Sequence, residues 1–550
     1  MSSAFGTVRL LHHWLERSAC EHGDRIALIC DGERINWSTL GRHVEALATV
    51  LRENGVQRGE RVAIFLENSI EAVVGIFATL SVGGVFMPIN PMTKSEKLAY
   101  MLRDSGACVL LAQGSLWKFS LDAIRDTPEL RLCVVARQKA DQAISGADGV
   151  RVVRWPECET NPSTDFPCRP QFAPGECIDQ DLASIIYTSG STADPKGVML
   201  SHLNMLSAGR SISDYLGINK DDVIFCALPL AFDYGLYQVL MAARKGACVV
   251  LERGFAFPVK AVEAMQREAV TVFPGVPTMF AMLLALRNPE ALKLPALRTV
   301  TNTAAALSEP QIARLRQLFS TAKLFLMYGL TECKRVTYLP PEMLDRRPTS
   351  VGRGMPNVEV WLTDETGSRL PFGSTGELVV RGQNVMRGYW NKPEASGQRL
   401  RKDRISGDMI LHTGDIFRTD REGWLYFVAR TDDIIKSRGE KVSPREVENA
   451  IHHLEGIADV AVVGVPDEVL GEAVKAFVVL REGVELTERE VIVHCRALLE
   501  GHLVPKHVSF VSVLPTTDTG KISKRMLARD YQGGLHEDSI KLNQADIPNE

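Results

Sequence analysis

Short apolar runs alternate with amphipathic stretches through the first half of the chain. The runs have the length of buried strands and occupy residues 26–29, 61–65, 108–111, 132–136, 223–228 and 248–251. Residues 40–51 carry apolar side chains at helical spacing, and Asp31-Gly32 marks a hairpin turn. Strands that alternate with helices predict an α/β fold, with mostly parallel sheets and helices on both faces.

One uncharged stretch, residues 72–89, comes close to the length of a membrane span. Gly83, Gly84 and Pro88 interrupt it, so the pattern predicts a buried helix followed by a buried strand. The first residues lack a basic region followed by an apolar run, which argues against a signal peptide. We therefore expect a soluble protein without a membrane partner.

Three later segments depart from this alternation. Residues 137–179 are rich in Pro, Asp and Cys, and we expect a surface loop there. Between residues 361 and 426, glycines break the chain into short runs that predict small antiparallel strands in a barrel-like subdomain. The chain then becomes compact α+β, which places a boundary between a large and a small domain at residues 430–433.

Composition narrows the classes of protein. A chain of 550 residues is too long for one core and predicts two to four domains. The net charge of −4 gives no argument for a nucleic-acid partner. Eleven scattered cysteines without a Cys-x-x-Cys pair favour reduced thiols, and therefore a cytoplasmic protein.

Residues 185–198 have the pattern of a phosphate-binding loop between two apolar runs. Small residues let backbone N–H groups approach phosphates, and hydroxyls and a lysine add donors and charge. The residues concerned are Thr188, Ser189, Gly190, Ser191, Thr192 and Lys196. The spacing is not that of a Walker A loop. Read alone, the string has a mobile surface turn as its alternative interpretation.

Four further strings accompany this loop, in the order Tyr328–Glu332, His412–Asp415, Arg430–Glu448 and Leu514–Leu527. Together they closely resemble the motifs of the adenylate-forming enzymes, which include acyl-CoA synthetases, luciferases and the adenylation units of peptide synthetases. The resemblance covers nearly the whole chain. It implies that a carboxylic acid attacks the α-phosphate of ATP, releasing pyrophosphate, before the acyl group passes to a thiol.

The resemblance assigns the ATP site residue by residue. It assigns contact with the β- and γ-phosphates to Thr188 and the rest of the loop. Glu332 suits Mg²⁺, a hard cation that prefers oxygen ligands. Thr331 would donate to phosphate, Tyr328 and Gly329 would lie near adenine, and Asp415 and Arg430 would hold the ribose. Where the family usually has glycine this chain has Ala193, and the adenine-side loop is altered at Thr303 and Ala306.

The resemblance also implies a mobile C-terminal domain. It predicts a large domain over residues 1–430, a hinge at 431–433 centred on Asp432, and a small domain over 434–550. Lys521 aligns with the catalytic lysine that bridges the attacking carboxylate and the α-phosphate. Rotation about such a hinge rebuilds one site for a second reaction.

The substrate must be inferred from the acyl pocket. Asp233, which follows Phe232, is placed where amino-acid-activating relatives bind the substrate ammonium, although it could instead cap the next helix. Lys334 and Arg335 follow Glu332 and could hold a second carboxylate, Arg335 in bidentate fashion. They could equally pair with internal carboxylates or face water.

Asp233 with the two cations complements an acidic amino acid, and Gly329 borders the same pocket. This combination resembles the stand-alone ligases that load aspartate-type or β-amino acids onto acyl carrier proteins for macrolactam polyketides. Two alternatives remain: an acyl-CoA synthetase acting on a fatty, aryl or other acid, and a non-catalytic nucleotide-binding regulator.

Overall fold

The structure is a computed structural model. It describes residues 8–125, 127–137, 149–156, 177–188, 194–286, 292–437, 440–467, 470–516, 522–524 and 526–528. The chain divides into two compact units. Unit one comprises Met1–Val360 and Val380–His412, and unit two comprises Trp361–Val379 and Thr413–Glu550. The predicted domain boundary at residues 430–433 stays a prediction.

Unit one contains a nine-stranded sheet with a parallel centre and antiparallel edges. Its strands, in spatial order, are β16 (Arg353–Gly354), β15 (Thr337–Leu339), β14 (Lys323–Tyr328), β13 (Thr299–Asn302), β12 (Val272–Gly275), β10 (Val223–Cys226), β11 (Cys248–Leu251), β1 (Ile26–Cys30) and β2 (Glu33–Asn36). The hairpin predicted at Asp31-Gly32 is confirmed, because β1 and β2 pair antiparallel on either side of it.

A second sheet of unit one has eight strands. In spatial order they are β19 (Gly388–Tyr389), β9 (Lys196–Ser201), β8 (Leu182–Thr188), β4 (Val85–Pro88), β3 (Arg61–Phe65), β5 (Ala107–Gln113), β6 (Leu132–Ala136) and β7 (Arg151–Arg154). The pairs from β8 to β7 are parallel, and β8–β9 and β9–β19 are antiparallel. The predicted mostly parallel α/β architecture is therefore confirmed.

Eleven helices of unit one lie in the described residues. They are α1 (His12–Glu21), α2 (Trp37–Glu53), α3 (Ile70–Ser81), α4 (Ser95–Ser105), α5 (Trp117–Ile124), α6 (His202–Tyr215), α7 (Asp233–Lys245), α8 (Pro258–Arg267), α9 (Pro277–Leu284), α10 (Glu309–Leu318) and α11 (Pro393–Arg399). The uncharged stretch at 72–89 is a buried helix followed by a buried strand, as predicted. Among the described residues, no helix has the length and apolar character of a membrane span.

The expected surface loop at residues 137–179 was partly wrong. Residues 151–154 form β7, which pairs parallel with β6 at the sheet edge. Its side chains are exposed or half-buried, so the strand lacks the apolar pattern by which buried strands are recognised. Backbone hydrogen bonds to one neighbour are sufficient at an edge.

The glycine-rich segment forms short strands. They are β17 (Val358–Thr363), β18 (Thr375–Gly382), β20 (Leu400–Lys402), β21 (Met409–Thr419) and β22 (Leu425–Arg430). The first residues of β21 pair antiparallel with β20, and its later residues pair antiparallel with β22. The antiparallel pairing is as predicted, whereas closure into a barrel stays a prediction.

The C-terminal part of unit two is compact α+β, as the pattern indicated. Its elements are β23 (Ile435–Ser437), β24 (Glu440–Val442), α12 (Pro444–His452), β25 (Ile457–Asp467), β26 (Gly471–Leu480), α13 (Glu488–Leu498) and β27 (His507–Phe510). The sheet order is β24-β23-β26-β25, and β27 lies parallel to β26. Apolar side chains of α12, α13 and the sheet, including Val447, Val491 and Val462, form its core.

Candidate functional site

The predicted phosphate loop connects the antiparallel strands β8 and β9. Thr188 at the end of β8 pairs with Lys196 at the start of β9, and its hydroxyl donates to the Lys196 carbonyl at 3.4 Å. The loop residues Ser189, Gly190, Ser191 and Thr192 lie outside the described residues. The structure therefore fixes the two ends of the loop, one hydroxyl and one lysine.

The second motif is a tight turn between β14 and β15. Tyr328 ends β14 and pairs with Thr337 of the antiparallel β15. Gly329 follows it, where an added Cβ would lie 2.0 Å from the Lys334 carbonyl oxygen, so the turn requires glycine. Thr331 and Glu332 are half-buried in this turn.

Glu332 and Lys196 lie beside the same aromatic ring. The Tyr389 hydroxyl donates to Glu332 Oε1 at 2.7 Å, and Lys196 Nζ lies 5.6 Å from the centroid of the Tyr389 ring. The structure thus brings together the lysine and the carboxylate that the sequence assigned to the phosphates and the metal. No sequence pattern singles out Tyr389, which comes from a distant part of the chain.

The site fits a metal that is shared with phosphate. Glu332 Oε2 makes no hydrogen bond within the described part of the chain, while Tyr389 orients the other oxygen. The described residues contain no group of three or more His, Cys, Asp or Glu side chains that could enclose a metal. One protein carboxylate with phosphate and water oxygens is a usual environment for Mg²⁺.

Lys334 and Arg335 are buried, with 1% and 3% exposure. Neither forms an ion pair with a described carboxylate, and Lys334 Nζ and Arg335 Nε have no hydrogen-bond partner among the described residues. Burial lowers the pKa of Lys334 to about 8, although the charges of Asp233 and Glu332 oppose that shift. The two cations therefore do not face water, and the described carboxylates leave them unpaired.

Aromatic rings line the two cations. Lys334 Nζ lies 5.7 Å from the centre of the Tyr237 ring, and the Arg335 guanidinium lies 4.9 Å from that of Tyr234. Both tyrosines project from α7, whose first residue is Asp233. Half-buried Phe232 holds the N-cap position, and the Asp233 side chain makes no hydrogen bond to another described residue. The helix thus places two rings beside the cations and a carboxylate whose charge acts on Lys334.

Thr303 contacts one of these cations. Its hydroxyl accepts a hydrogen bond from Arg335 Nη1 at 3.0 Å and is 3% exposed. The next residue, Ala304, has a left-handed backbone with φ of 75°. The altered loop therefore touches the acyl-pocket cations, and its predicted contact with the nucleotide stays a prediction.

Asn384 is a further residue that sequence reasoning missed. Its fully buried amide donates to the carbonyls of Cys333 and Arg335, at 2.7 and 3.0 Å. It thereby braces Lys334, whose φ of 63° is unfavourable for a side chain larger than glycine. Strain that persists in this way is typical of functional sites.

Unit two holds the predicted ribose residues. Asp415 of β21 lies opposite Arg430 of β22 in the ladder, and Arg430 Nε is 3.5 Å from Asp415 Oδ1. Asp415 is 7% exposed. Lys521 and the Asp432 side chain lie outside the described residues.

The mostly parallel sheets place a lysine at the start of β9 and a carboxylate in the turn after β14, and α/β folds bind ligands beside the ends of their strands. The family model described as AMP-binding enzyme matches residues 15–390, and that of the AMP-binding enzyme C-terminal domain matches residues 446–521. The chain belongs to the AMP-binding enzymes, the adenylate-forming superfamily, and is an AMP-forming acid–thiol ligase that uses ATP.

Curated relatives and solved structures match over nearly their full length. The chain is 30% identical to a long-chain-fatty-acid–CoA ligase of Bacillus subtilis (strain 168), covering 96% of each chain. It is 33% identical to a feruloyl-CoA synthase of Amycolatopsis sp, covering 95% of this chain and 99% of the relative. ATP-bound MatB from Rhodopseudomonas palustris has a TM-score of 0.81 at 28% identity, covering 95% of this chain and 99% of MatB.

Proposed function

We propose that this enzyme adenylates an acidic or β-amino acid, of the aspartate or 3-methylaspartate type, and transfers it to the phosphopantetheine thiol of an acyl carrier protein. The first half-reaction uses ATP with Mg²⁺, which Glu332 would help to hold. The bound metal would neutralise phosphate charge. Lys196 and the loop after Thr188 would hold the phosphates, so that the substrate carboxylate can approach the α-phosphate.

The observation that carries the substrate proposal is the pair of buried cations. A buried ammonium without a partner is unfavourable, so a fold that keeps Lys334 beside Arg335 is expected to receive an anion there. The reacting carboxylate must face ATP, so the anion at the cations would be a second carboxylate. Arg335 would bind it through its guanidinium and Lys334 through its ammonium.

Asp233 supplies the complementary charge. It is half-buried at the first position of α7, where Phe232 and not Asp233 is the N-cap residue, and this favours the ammonium role over the capping alternative. Its charge also acts on Lys334. A carboxylate and two cations in one pocket match a substrate with an ammonium and two carboxylates.

The resemblance alone supports the remaining roles. It gives the ribose to Asp415 and Arg430, the α-phosphate to Lys521, and the hinge between the half-reactions to Asp432. It also supplies the proposed acceptor, the thiol of a carrier protein, and with it a place in polyketide biosynthesis. The matched relatives are named as CoA ligases, which favours CoA instead, so the acceptor must be measured directly.

The second candidate is an acyl-CoA synthetase for a fatty or aryl acid, the activity for which the matched relatives are named. An apolar acyl chain in this pocket would leave Lys334 and Arg335 desolvated without a counter-charge. That penalty favours the acidic substrate.

The test is pyrophosphate release with ATP, Mg²⁺ and hydroxylamine across aspartate, 3-methylaspartate, glutamate, β-alanine, neutral β-amino acids, benzoates and fatty acids. We expect the highest kcat/KM for an acidic amino acid. Preference for neutral β-amino acids would keep the role of Asp233 and remove that of the cations. Activity only with fatty or aryl acids would overturn the substrate proposal.

The Lys334→Met variant tests whether Lys334 binds the second carboxylate of the substrate. We expect kcat/KM for the acidic amino acid to fall roughly 10- to 100-fold, because one charged hydrogen bond is lost. Activity with β-alanine, which lacks the second carboxylate, should change little. Lys94→Met, at an exposed lysine, is the matched control and should leave both substrates unaffected.

Lys521→Ala tests the enzyme against a non-catalytic regulator. Loss of adenylation by about 100-fold or more, with ATP binding retained, is the expected result. Unchanged turnover would exclude the assigned role. Thioester formation on a phosphopantetheinylated carrier protein and on CoA, measured in parallel, then decides the acceptor.

A further inference from the structure

Tyr389 lies between two charged groups of the ATP site. Its hydroxyl donates to Glu332 Oε1 at 2.7 Å, and its ring faces Lys196 Nζ at 5.6 Å. The residue is 6% exposed. A single side chain therefore contacts both the proposed metal ligand and the lysine of the phosphate loop.

The backbone around Tyr389 is fixed to both of these elements. Strand β19 pairs with β9, with Tyr389 opposite Val198, and the Trp390 N–H donates to the Gly197 carbonyl at 2.7 Å. On the other side, the Met386 N–H donates to the carbonyl of Glu332 at 2.8 Å. The phenol is thus presented to Glu332 by backbone hydrogen bonds that also set the distance between the turn and β9.

A phenol donor on one carboxylate oxygen restricts how that carboxylate can bind a cation. With Oε1 engaged, Glu332 presents Oε2, which has no hydrogen bond among the described residues. One oxygen in a fixed direction suits the octahedral geometry of Mg²⁺. Hydrogen-bonded partners of ligating carboxylates orient them and tune metal affinity.

We propose that Tyr389 is a positioning residue of the ATP site, which orients Glu332 for the metal through its hydroxyl and supports Lys196 through its ring. This role rests on the proposed function of Glu332 as a metal ligand.

The test measures ATP binding rather than turnover. Calorimetry gives the dissociation constant for ATP with excess Mg²⁺ and with a chelator, for the wild type and Tyr389→Phe. Phenylalanine keeps the ring and removes the hydroxyl. We expect the Mg²⁺-dependent gain in affinity to fall about 10-fold or more, whereas metal-free affinity changes by less than about twofold.

Tyr389→Leu removes the ring as well. Lys196 then loses its aromatic neighbour, and we expect metal-free ATP affinity to fall about threefold further. The matched control is Tyr426→Phe, which removes a phenol that donates to Asp420 at 3.4 Å and that belongs to none of the motifs assigned to ATP or metal. It should leave the Mg²⁺ response unchanged even where thermal stability falls.

The outcomes distinguish a failure of the role of Tyr389 from a failure of the proposed role of Glu332 as a metal ligand. Glu332→Gln should lose the Mg²⁺ response; if it does not, the metal assignment is wrong and the role of Tyr389 falls with it. If Glu332→Gln loses the response and Tyr389→Phe retains it, only the role of Tyr389 is overturned. Equal losses in both ATP constants for Tyr389→Phe would show a structural role and overturn it as well.

Discussion

Two regions of unit one bury charge in opposite ways. Just before β10, Asp222 is 2% exposed and accepts hydrogen bonds from Arg298 Nε, Thr271 Oγ1 and the Asn219 N–H, at 2.7, 2.7 and 2.8 Å. In the turn after β14, Lys334 is 1% exposed and its ammonium has no hydrogen-bond partner among the described residues.

The difference indicates what each charge is for. Replacing lost hydration by several good hydrogen bonds makes a buried charge compatible with stability. Lys334 lacks that compensation within the described chain, and Arg335 donates one hydrogen bond there, from Nη1 to the Thr303 hydroxyl at 3.0 Å. The cation–aromatic contacts are individually weak. We infer that Asp222 with its hydrogen-bond donors stabilises the fold. The cation pair, Lys334 and Arg335, instead binds an anionic ligand.

The largest effect is expected when the hydrogen-bonded carboxylate of Asp222 is removed. Asp222→Ala should lower the free energy of unfolding by about 3 kcal/mol, since it leaves Arg298 and two other donors without their acceptor. Chemical denaturation measures the change. Asp221→Ala is the control, because Asp221 is 69% exposed and its ion pair with Arg25 is a surface one that contributes less than about 1 kcal/mol. Equal losses of stability in Asp222→Ala and Asp221→Ala would contradict the inference that the buried, hydrogen-bonded carboxylate stabilises the fold.

The next prediction uses the pH dependence of the cation pair. Because the pKa of Lys334 is lowered to about 8, the free enzyme carries the ammonium below that pH and loses it above. We expect kcat/KM for an acidic amino acid to fall about tenfold per pH unit above this value. β-Alanine shares the titrating amine without the second carboxylate and should not show this fall.

Lys334→Met provides the control for that profile. If the ammonium causes the fall, the difference between the two substrates should disappear in the variant. A fall that persists in Lys334→Met would assign the titration to another group.

These comparisons also show which parts of the site can be predicted from the sequence. The ends of the phosphate loop and the turn with Glu332 were predicted because each is encoded in a short local string. The burial of Lys334 could not be predicted, because adjacent cations in a sequence are compatible with a solvated surface. Their surroundings come from α7, about a hundred residues earlier in the chain, and only tertiary packing decides that.

Tyr389 and Asn384 were missed for the same reason. Both reach the turn from a segment that follows it by some fifty residues, and a single Tyr or Asn among glycine-broken strands carries no periodic signal. The edge strand β7 escaped because its side chains are not buried. Local patterns predicted elements and motifs, whereas the residues that orient the motifs depend on long-range contacts.

A smaller effect tests whether Lys334 contributes to the fold. Lys334→Met fills a similar volume without a charge, so the free energy of unfolding should stay constant or rise by up to about 1 kcal/mol. Denaturation beside Asp222→Ala gives the comparison. A loss approaching that of Asp222→Ala would mean that the ammonium stabilises the fold, and the inference that it awaits a ligand would be wrong.

A third, intermediate case of a buried charge lies in unit two. Glu448 on α12 is 6% exposed, accepts from the Val462 N–H at 3.0 Å and pairs with Lys524 at 2.6 Å. The side chain of Lys524 is 25% exposed, so water can replace part of the stabilisation that the ion pair provides.

Lys524→Met should therefore lower the free energy of unfolding by only about 1 kcal/mol. Denaturation measures the change beside Lys524→Arg, which retains the charge. If Lys524→Met were as damaging as Asp222→Ala, partner exposure would not govern these energies. The graded series from a compensated to an uncompensated buried charge would then lose its physical basis.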